Sequence, residues 1–445
     1  MNLLRNEGES AAGLALDDLQ ETWRLLDSEE RLEAFLDLPR ADAEDFFLSL
    51  TAREQYELIM LMPSAQRRSW MRLLPPDDAA DVIQEGEDDG RSALLALLDE
   101  QTRRDVSALL AYAEDDAGGL MNPRYARVRS DVSADEAIKY LRKQAREVLE
   151  NVYYVYVIDA GQKLVGVVSF RDLFGAAPEI RVRELMAVDL ITAREEMDQE
   201  ELSQLFADHD MQAIPVVDAE GRMKGIVTVD DIVDVIQEEA TEDIQKIGGT
   251  QALDAPYLET GFVDMLRKRV IWLMVLFVGE SFTAAAMSGF EDEIGKAVIL
   301  SLFIPLIISS GGNSGSQAST LVIRAMALGE VTLADWWRVV HREIVQGLAI
   351  GAILGVIGFG RVELWEQLFH SYGPHHTLVA ITVAGSVVGV VSFGTIAGSM
   401  LPFLLRRAGL DPASASAPFV ATFVDVTGIL IYFTIASIVL RGTLL

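Results

Sequence analysis

Residues 305–320 read PLIISSGGNSGSQAST, an apolar run that passes into glycine, serine, asparagine and threonine inside what should be a membrane-crossing helix. A bilayer interior offers no water to backbone or hydroxyl groups, so polar, glycine-rich sequence at that depth must be buried in protein or line a watery path. This stretch is therefore the first candidate for a crossing point.

Outward from it, apolar segments of spanning length recur at about 270–290, 299–326, 344–359, 377–405 and 418–440, giving five spans in a membrane domain expected over 263–445. Arg267, Lys268 and Arg269 precede the first span, and Glu291, Asp292 and Glu293 follow it. The basic side marks the cytoplasm, so the N-terminus is expected inside and the C-terminus outside the cell (inner) membrane. Trp336, Trp337 and Arg338 read as an amphipathic segment at the inner interface, and Gly347, Gly351 and Gly355 as a small-residue packing stripe. Residues 361–376 read as an outer loop carrying His370, His375 and His376.

The chain has 445 residues, no cysteine and a formal charge of −31. From Arg267 onward 11 acids and 11 bases balance, so the whole excess lies upstream, where 57 acids face 26 bases. An acidic soluble half is thus joined to the membrane half, and its field repels nucleic acid and collects cations. Disulfides and thiolate metal sites are excluded. The opening MNLLRNEGES lacks the basic-then-apolar pattern of a signal peptide, which keeps the soluble half in the cytoplasm.

Residues 1–122 read as an all-α domain of short amphipathic helices set off by Leu38-Pro39, Met62-Pro63 and Leu74-Pro75-Pro76, whose spacing suggests stacked hairpins. Asp77, Asp78 and Asp81 crowd one stretch there, as a solvated helix face or as a surface for divalent cations. An internal repeat follows at an offset of 59 residues: Val157-Ile158-Asp159 and Gly166 to Asp172 recur as Val216-Val217-Asp218 and Gly225 to Asp231. Each copy reads as strand, turn, strand and a helix capped by Ser169 or Thr228, giving α/β units at 123–185 and 186–231. An acidic connecting helix is expected over 232–262, with Asp231, Asp234, Glu238 and Glu242 on one face and Ile232, Val235 and Ile236 docking the other. A like-charge pair at 4 Å costs about 1 kcal/mol in water and up to about 4 kcal/mol at a surface-like dielectric, so these acids can bias a hinge that a divalent cation would reset.

Motifs for nucleotide hydrolysis, zinc proteolysis and dinucleotide binding are missing, so the chain is read as no enzyme. Two acids stand where acids are expensive: Asp425 in the fifth span and Glu280 near the middle of the first. Asp425 shares a helix face with Ala421 and Gly428, small enough to leave room for a hydrated ion. Glu280 has no such company and reads either as functional or as a protonated structural acid. Carboxylate, hydroxyl and carbonyl oxygens suit a hard cation, and one acid per helix in a wide small-residue pore suits magnesium better than calcium. Ser309, Ser310, Asn313 and Ser316 can offer neutral oxygens to the hydration shell.

The repeat resembles a tandem of CBS motifs, and the chain as a whole resembles the MgtE family of magnesium channels. The resemblance rests on Pro305, Gly311-Gly312-Asn313, Gly315 and Gln317, on Asp411-Pro412, on the run from Ala421 to Gly428, and on Arg171-Asp172 and the run from Glu239 to Asp243. It implies a homodimer with a pore between the second and fifth spans, Asp425 as the ion-selecting carboxylate, and the acidic helix as a plug held closed by cytosolic magnesium. Regulatory ions would fall on Glu200, Asp210, Asp231, Asp234, Glu239, Glu242, Asp243 and Asp411, and an adenine nucleotide such as ATP would contact Arg171 and Asp172. One departure is Ser316, where some relatives carry a second pore-facing asparagine. A proton- or sodium-coupled carrier and a membrane-tethered sensor that does not conduct stand as alternatives.

Overall fold

The computed structural model describes residues 16–144, 153–253, 255–258 and 260–445. The chain divides into two compact units, Met1–Ile236 and Gln237–Leu445.

The first unit opens with short helices running from Leu16–Thr22 to Glu100–Leu109. Pro39, Pro63 and Pro75 each occupy the N-cap of the helix that follows, Arg40–Ser49, Ser64–Met71 and Pro76–Gln84. A ring with fixed φ and no N–H costs nothing there, where the donor would have no helical partner. Capping boxes at Asp27 with Glu30 and Thr51 with Glu54 start two more helices. Phe35, Phe46, Phe47 and Trp70 pack as one aromatic cluster, with Phe35 and Trp70 centroids 4.9 Å apart. The same core continues into Phe206, Ile214 and Ile232 of the second repeat. The face expected to be solvated is in part interior: Asp77 is 5% exposed, and Asn122 Nδ2 donates to its Oδ1 at 3.2 Å.

Each repeat forms a three-stranded sheet, β1 (Arg127–Val128), β2 (Tyr154–Ile158) and β3 (Leu164–Ser169), then β4 (Ala193–Arg194), β5 (Ala213–Val217) and β6 (Met223–Thr228). The outer pair is parallel and the hairpin antiparallel in both. The register slips at Val157/Ile158 and again at Val216/Val217, so the bulge is repeated with the sequence. Asp159 and Asp218 hold the hairpin turns by accepting from backbone N–H groups two and four residues on.

The acidic helix spans Val229–Ile247 rather than 232–262. Gly249, at φ +76°, ends it: its N–H donates to the Lys246 carbonyl and Thr250 N–H to the Gln245 carbonyl, a left-handed glycine cap. Ile232 and Val235 are buried as expected, but Ile236 is 49% exposed. Its position falls past the arc that the core covers.

Among its described residues the second unit holds five helices long and apolar enough to cross a membrane: Phe262–Ser288, Val298–Ala327, Leu333–Phe369, His376–Arg407 and Ala417–Val439, the first to fifth spans. The polar run of the second span does not interrupt it; Ile304–Ala327 is continuous helix. Gly311 and Gly315 press against Gly394 and Gly398 of the fourth span so closely that a Cβ at Gly394 or Gly398 would run into the Gly311 or Gly315 carbonyl. The expected outer loop is mostly helix, because the third span's helix, Trp336–Phe369, runs on to Phe369 and ends at His370 in the left-handed region. Arg361 holds that extension by lying over Phe303 and Trp365, and Glu363 pairs with His376 at 3.1 Å. Gly347 and Gly351 pack on Ser392 and Val388 of the fourth span, as the small-residue stripe foretold. Hydroxyls of Ser281, Thr382, Thr422 and Thr434 donate to carbonyls of their own helices four residues back, which satisfies them without water.

Gly398→Ala is expected to force the second and fourth spans apart at a cost of roughly 1–3 kcal/mol. Thermal unfolding in detergent should show a lowered midpoint for this variant, whereas Gly360→Ala, at a site with no neighbour within 4 Å, should leave the midpoint unchanged or raised.

Candidate functional site

In the membrane unit, Asp425 lies early in the fifth span, half-buried. One turn before it, Ala421 meets Gly312 of the second span, where a Cβ would stand 3.5 Å from the Ala421 Cβ. Ser309 and Asn313 lie on the exposed side of the second span, Asn313 Nδ2 donating to Ser309 Oγ at 3.4 Å. Ser310 Oγ donates to the Leu306 carbonyl at 2.6 Å, and Ser316 Oγ to the Ala417 carbonyl at 3.0 Å. With their protons engaged, these two hydroxyls keep lone pairs only. The water shell of a cation presents protons, so acceptors are what such a shell needs. Ser316 thereby also ties the second span to the start of the fifth. Gly428 does not widen a path: it is buried against Val390 and Ile308.

Glu280 has more company than the sequence suggested. Trp272 of the first span donates to Ser416 Oγ at 3.2 Å, and Gly279 lies where a Cβ would be 2.8 Å from Thr422 Cγ2. The helices thus run side by side, with Glu280 next to Gly279 on one and Asp425 one turn after Thr422 on the other.

In the soluble unit, acids from distant sequence converge. Asp78 feels Asp230 and Asp234, and Asp231 feels Asp230 and Asp78. Burial first, then these neighbours, pushes the Asp78 carboxyl above its ordinary value. Burial likewise raises Asp231 to about 6, against the hydrogen bonds from Thr228, whose Oγ1 donates to Asp231 Oδ2 at 2.6 Å. Lys246, by contrast, neutralises its surroundings: its Nζ lies 2.7 Å from Asp411 and also pairs with Glu242. Burial pulls the Lys246 ammonium down, but the hydrogen bonds it donates to the Asp411 and Glu242 carboxylates outweigh that and hold the group charged.

A cavity of about 310 Å³ lies between the two repeats, lined by Tyr154, Tyr156, Ser169, Asp172, Ala213 and Pro215 among others. Ser169 Oγ donates to Asp172 Oδ2 at 2.6 Å and accepts from the Asp172 N–H, so the carboxylate is fixed at the cavity by its own cap.

Family models match the chain in order: the MgtE intracellular N domain at 14–115, the CBS domain at 117–179 and 182–238, and MgtE, described as divalent cation transporter, at 304–435. The magnesium transporter MgtE of Thermus thermophilus is 41% identical over 96% of this chain and 93% of that protein. The chain belongs to the MgtE family. Magnesium transporter MgtE of Bacillus subtilis is 31% identical over 86% of this chain and 83% of that protein. The crystallised cytosolic domain of the Mg2+ channel MgtE in complex with ATP is 41% identical, covering 50% of this chain and 90% of that one, with a TM-score of 0.47. The fold is that of the family: helical N domain, CBS pair and a multi-pass membrane part.

Within this MgtE-family chain the regulatory residues implied by resemblance form pairs rather than a cage. Among the described residues no group of three His, Asp or Glu side chains comes together closely enough to hold a metal ion. Asp234 is felt electrostatically by Asp78, Asp231 feels Asp78 in turn, and Glu242 is joined to Asp411 through Lys246. Glu239 and Asp243 are half-buried on the acidic helix. Glu200 and Asp210 stand at opposite ends of the helix Gln199–His209 and its cap, roughly 15 Å apart along the axis. Arg171 and Asp172 are both exposed at the start of the helix Phe170–Gly175. His370, His375 and His376 form no ligand set.

Sequence reasoning missed Glu343, which is 9% exposed in the third span. The signal was present: Glu343 extends the four-residue period of Gly347, Gly351 and Gly355 onto the face that packs on the fourth span.

The raised carboxyls of Asp78 and Asp231 give the soluble half a definite pH dependence. Its folded state binds more protons than the unfolded chain between the ordinary carboxylate value and about 6. The penalty is thus absent in acid, grows as pH rises through that window and is complete above it, reaching on the order of 3 kcal/mol for a two-unit shift. Protease resistance of the soluble half should fall as pH rises from 4 to 6, and Asp78→Asn should flatten that fall and raise resistance at neutral pH.

Proposed function

We propose that the chain is a magnesium-selective membrane channel that takes up Mg2+ and is gated by cytosolic Mg2+ through its N and CBS domains. The observation that carries this reading is Asp425, an intramembrane carboxylate beside the small pair Ala421 and Gly312 and near a stripe of acceptor oxygens on the second span. Such a site holds a cation through its water, as the reluctant dehydration of magnesium requires. Ser309, Asn313, Gln317 and Thr320 are exposed along that span. Lipid does not tolerate such a polar face, and a second copy of the chain would cover it, which supports a homodimer with the two Asp425 carboxylates across a shared path. The basic residues before the first span support an N-terminus in the cytoplasm and a C-terminus outside.

Feedback follows from the acids of the soluble half. At low Mg2+ the carboxylates of Asp78, Asp230, Asp231 and Asp234 repel and the domains part; bound Mg2+ reverses the sign and favours the closed form. An adenine nucleotide in the CBS cavity, with Asp172 on its ribose, would bias the same equilibrium. A second reading, a proton-coupled carrier, is favoured by the nearness of Glu280 to Asp425.

Asp425→Ala is expected to abolish Mg2+ flux into proteoliposomes while the protein still inserts, and undiminished flux would remove Asp425 from the path. Unitary current steps in planar bilayers are expected for the wild type; flux without steps would favour the carrier. Neutralising Asp234, Glu239 and Glu242 together should shift the Mg2+ concentration that protects the soluble half from protease.

A further inference from the structure

The acidic helix ends on a cation that belongs to the chain itself. Glu242 and Asp411, two of the regulatory residues implied by resemblance, are joined by Lys246, whose Nζ lies 2.7 Å from Asp411 Oδ2 and also pairs with Glu242 Oε1. Glu242 and Lys246 stand four residues apart, so one helix face presents both to Asp411. Asp411 is fixed to receive them. Its Oδ1 accepts from the Ala413 N–H at 2.8 Å and caps the turn Pro412–Ser414, which leaves Oδ2 to the ammonium.

The residues that follow seat this end of the helix on the membrane unit, to which all of them belong. Ile247 packs with Ile323 of the second span and with Ala413 and Ala415, both buried. Gly249 lies so close to the first and fifth spans that a Cβ there would stand 2.9 Å from Trp272 Nε1 and 3.1 Å from Pro418 Cγ. Lys268 Nζ donates to the Ala252 carbonyl just beyond. The apolar contacts set the place, and Lys246 supplies its charge.

Two carboxylates brought to one point repel, and either a divalent cation or an ammonium relieves them. Mg2+ comes from solution, so its occupancy follows its concentration. The lysine is tethered one helical turn from Glu242, and its local concentration does not change. An ammonium has three donors and no lone pair, so it meets both carboxylates directly, whereas Mg2+ keeps several waters around it. A second cation does not fit between Glu242 and Asp411 while the first stands there. We propose that Lys246 is a built-in counter-cation: it takes, in this chain, the place between Glu242 and Asp411 that the resemblance gives to a regulatory ion. It holds the last turn of the acidic helix on the membrane unit whether or not Mg2+ is present. Only its effect on flux rests on the gating reading above.

The chain has no cysteine, so one introduced thiol reports without background. The test measures the maleimide reaction rate of Ile247→Cys in the full-length protein in detergent, with Lys246 kept, with Lys246→Arg and with Lys246→Met, each in EDTA and in Mg2+. With Lys246 or Lys246→Arg the thiol is expected to react slowly in both. With Lys246→Met it should react roughly tenfold faster in EDTA, as the loss of a charge-assisted hydrogen-bonded pair allows, and Mg2+ should restore the slow rate by taking the vacated place. Val379→Cys, at a buried position of the fourth span, should stay slow beside Lys246→Met, which separates release of the helix end from unfolding; a fast rate there overturns the inference. So does a rate that Lys246→Met leaves unchanged in EDTA, or a thiol that Mg2+ must protect while Lys246 is intact. A fast Lys246→Met rate that Mg2+ does not slow denies the shared place and overturns it too. Mg2+ flux at low Mg2+ should rise in Lys246→Met; the expected labelling with flux unchanged supports the counter-cation and counts against the gating reading instead.

Discussion

Backbone-to-backbone contact between the second and fourth spans is the constraint from which the membrane unit follows. Helices in lipid gain nothing from excluding water from one another, so they are held by close van der Waals contact and by hydrogen bonds that lipid cannot supply. Gly311, Gly315, Gly394 and Gly398 provide that contact, and no side chain can be added at Gly394 or Gly398 without moving a helix. One face of the second span is committed to this packing, and Ser309, Asn313, Gln317 and Thr320 are turned to the other side. The same glycines that make the helix pack make its polar face available.

Charge is handled in two opposite ways along the acidic helix. Near its start Asp230, Asp231 and Asp234 lie in the electrostatic field of Asp78. At its last turn Lys246 sits between Glu242 and Asp411. A divalent ion arriving at the first end relieves a repulsion, while one arriving at the second must displace an ammonium that is already well bound.

The repeat, its hairpin turns and its caps were legible because each is local: Asp159 and Asp218 bond to backbone within four residues, and Ser169 and Thr228 within three. Asp425 was legible because an acid in an apolar run is conspicuous by cost alone. What the sequence hid was relational. Residues 361–369 looked like loop because they are charged, yet Arg361 lies over the rings of Phe303 and Trp365, one of them remote in sequence. Asp77 looked solvated until Asn122 covered it. Ile236 fitted the helical period and missed the core because the core ends first. Glu280 looked solitary because its neighbour, Asp425, comes from the far end of the chain.

The glycine contact also bears on how the chain is made. Gly311 is synthesised about 80 residues before Gly394, which at about 5–20 residues per second is an interval of several seconds. Through that interval the polar second span lacks the helix it packs on, and its hydroxyls and amide face a membrane that does not welcome them. The fourth span, the best buried of the five, supplies the glycine contact, and the fifth, with the turn that leads into it, follows and supplies the carbonyls that take up the Ser316 and Ser319 hydroxyls. The second span's packing surfaces are thus both made after it, so its contacts are completed only in the order in which the later helices leave the ribosome.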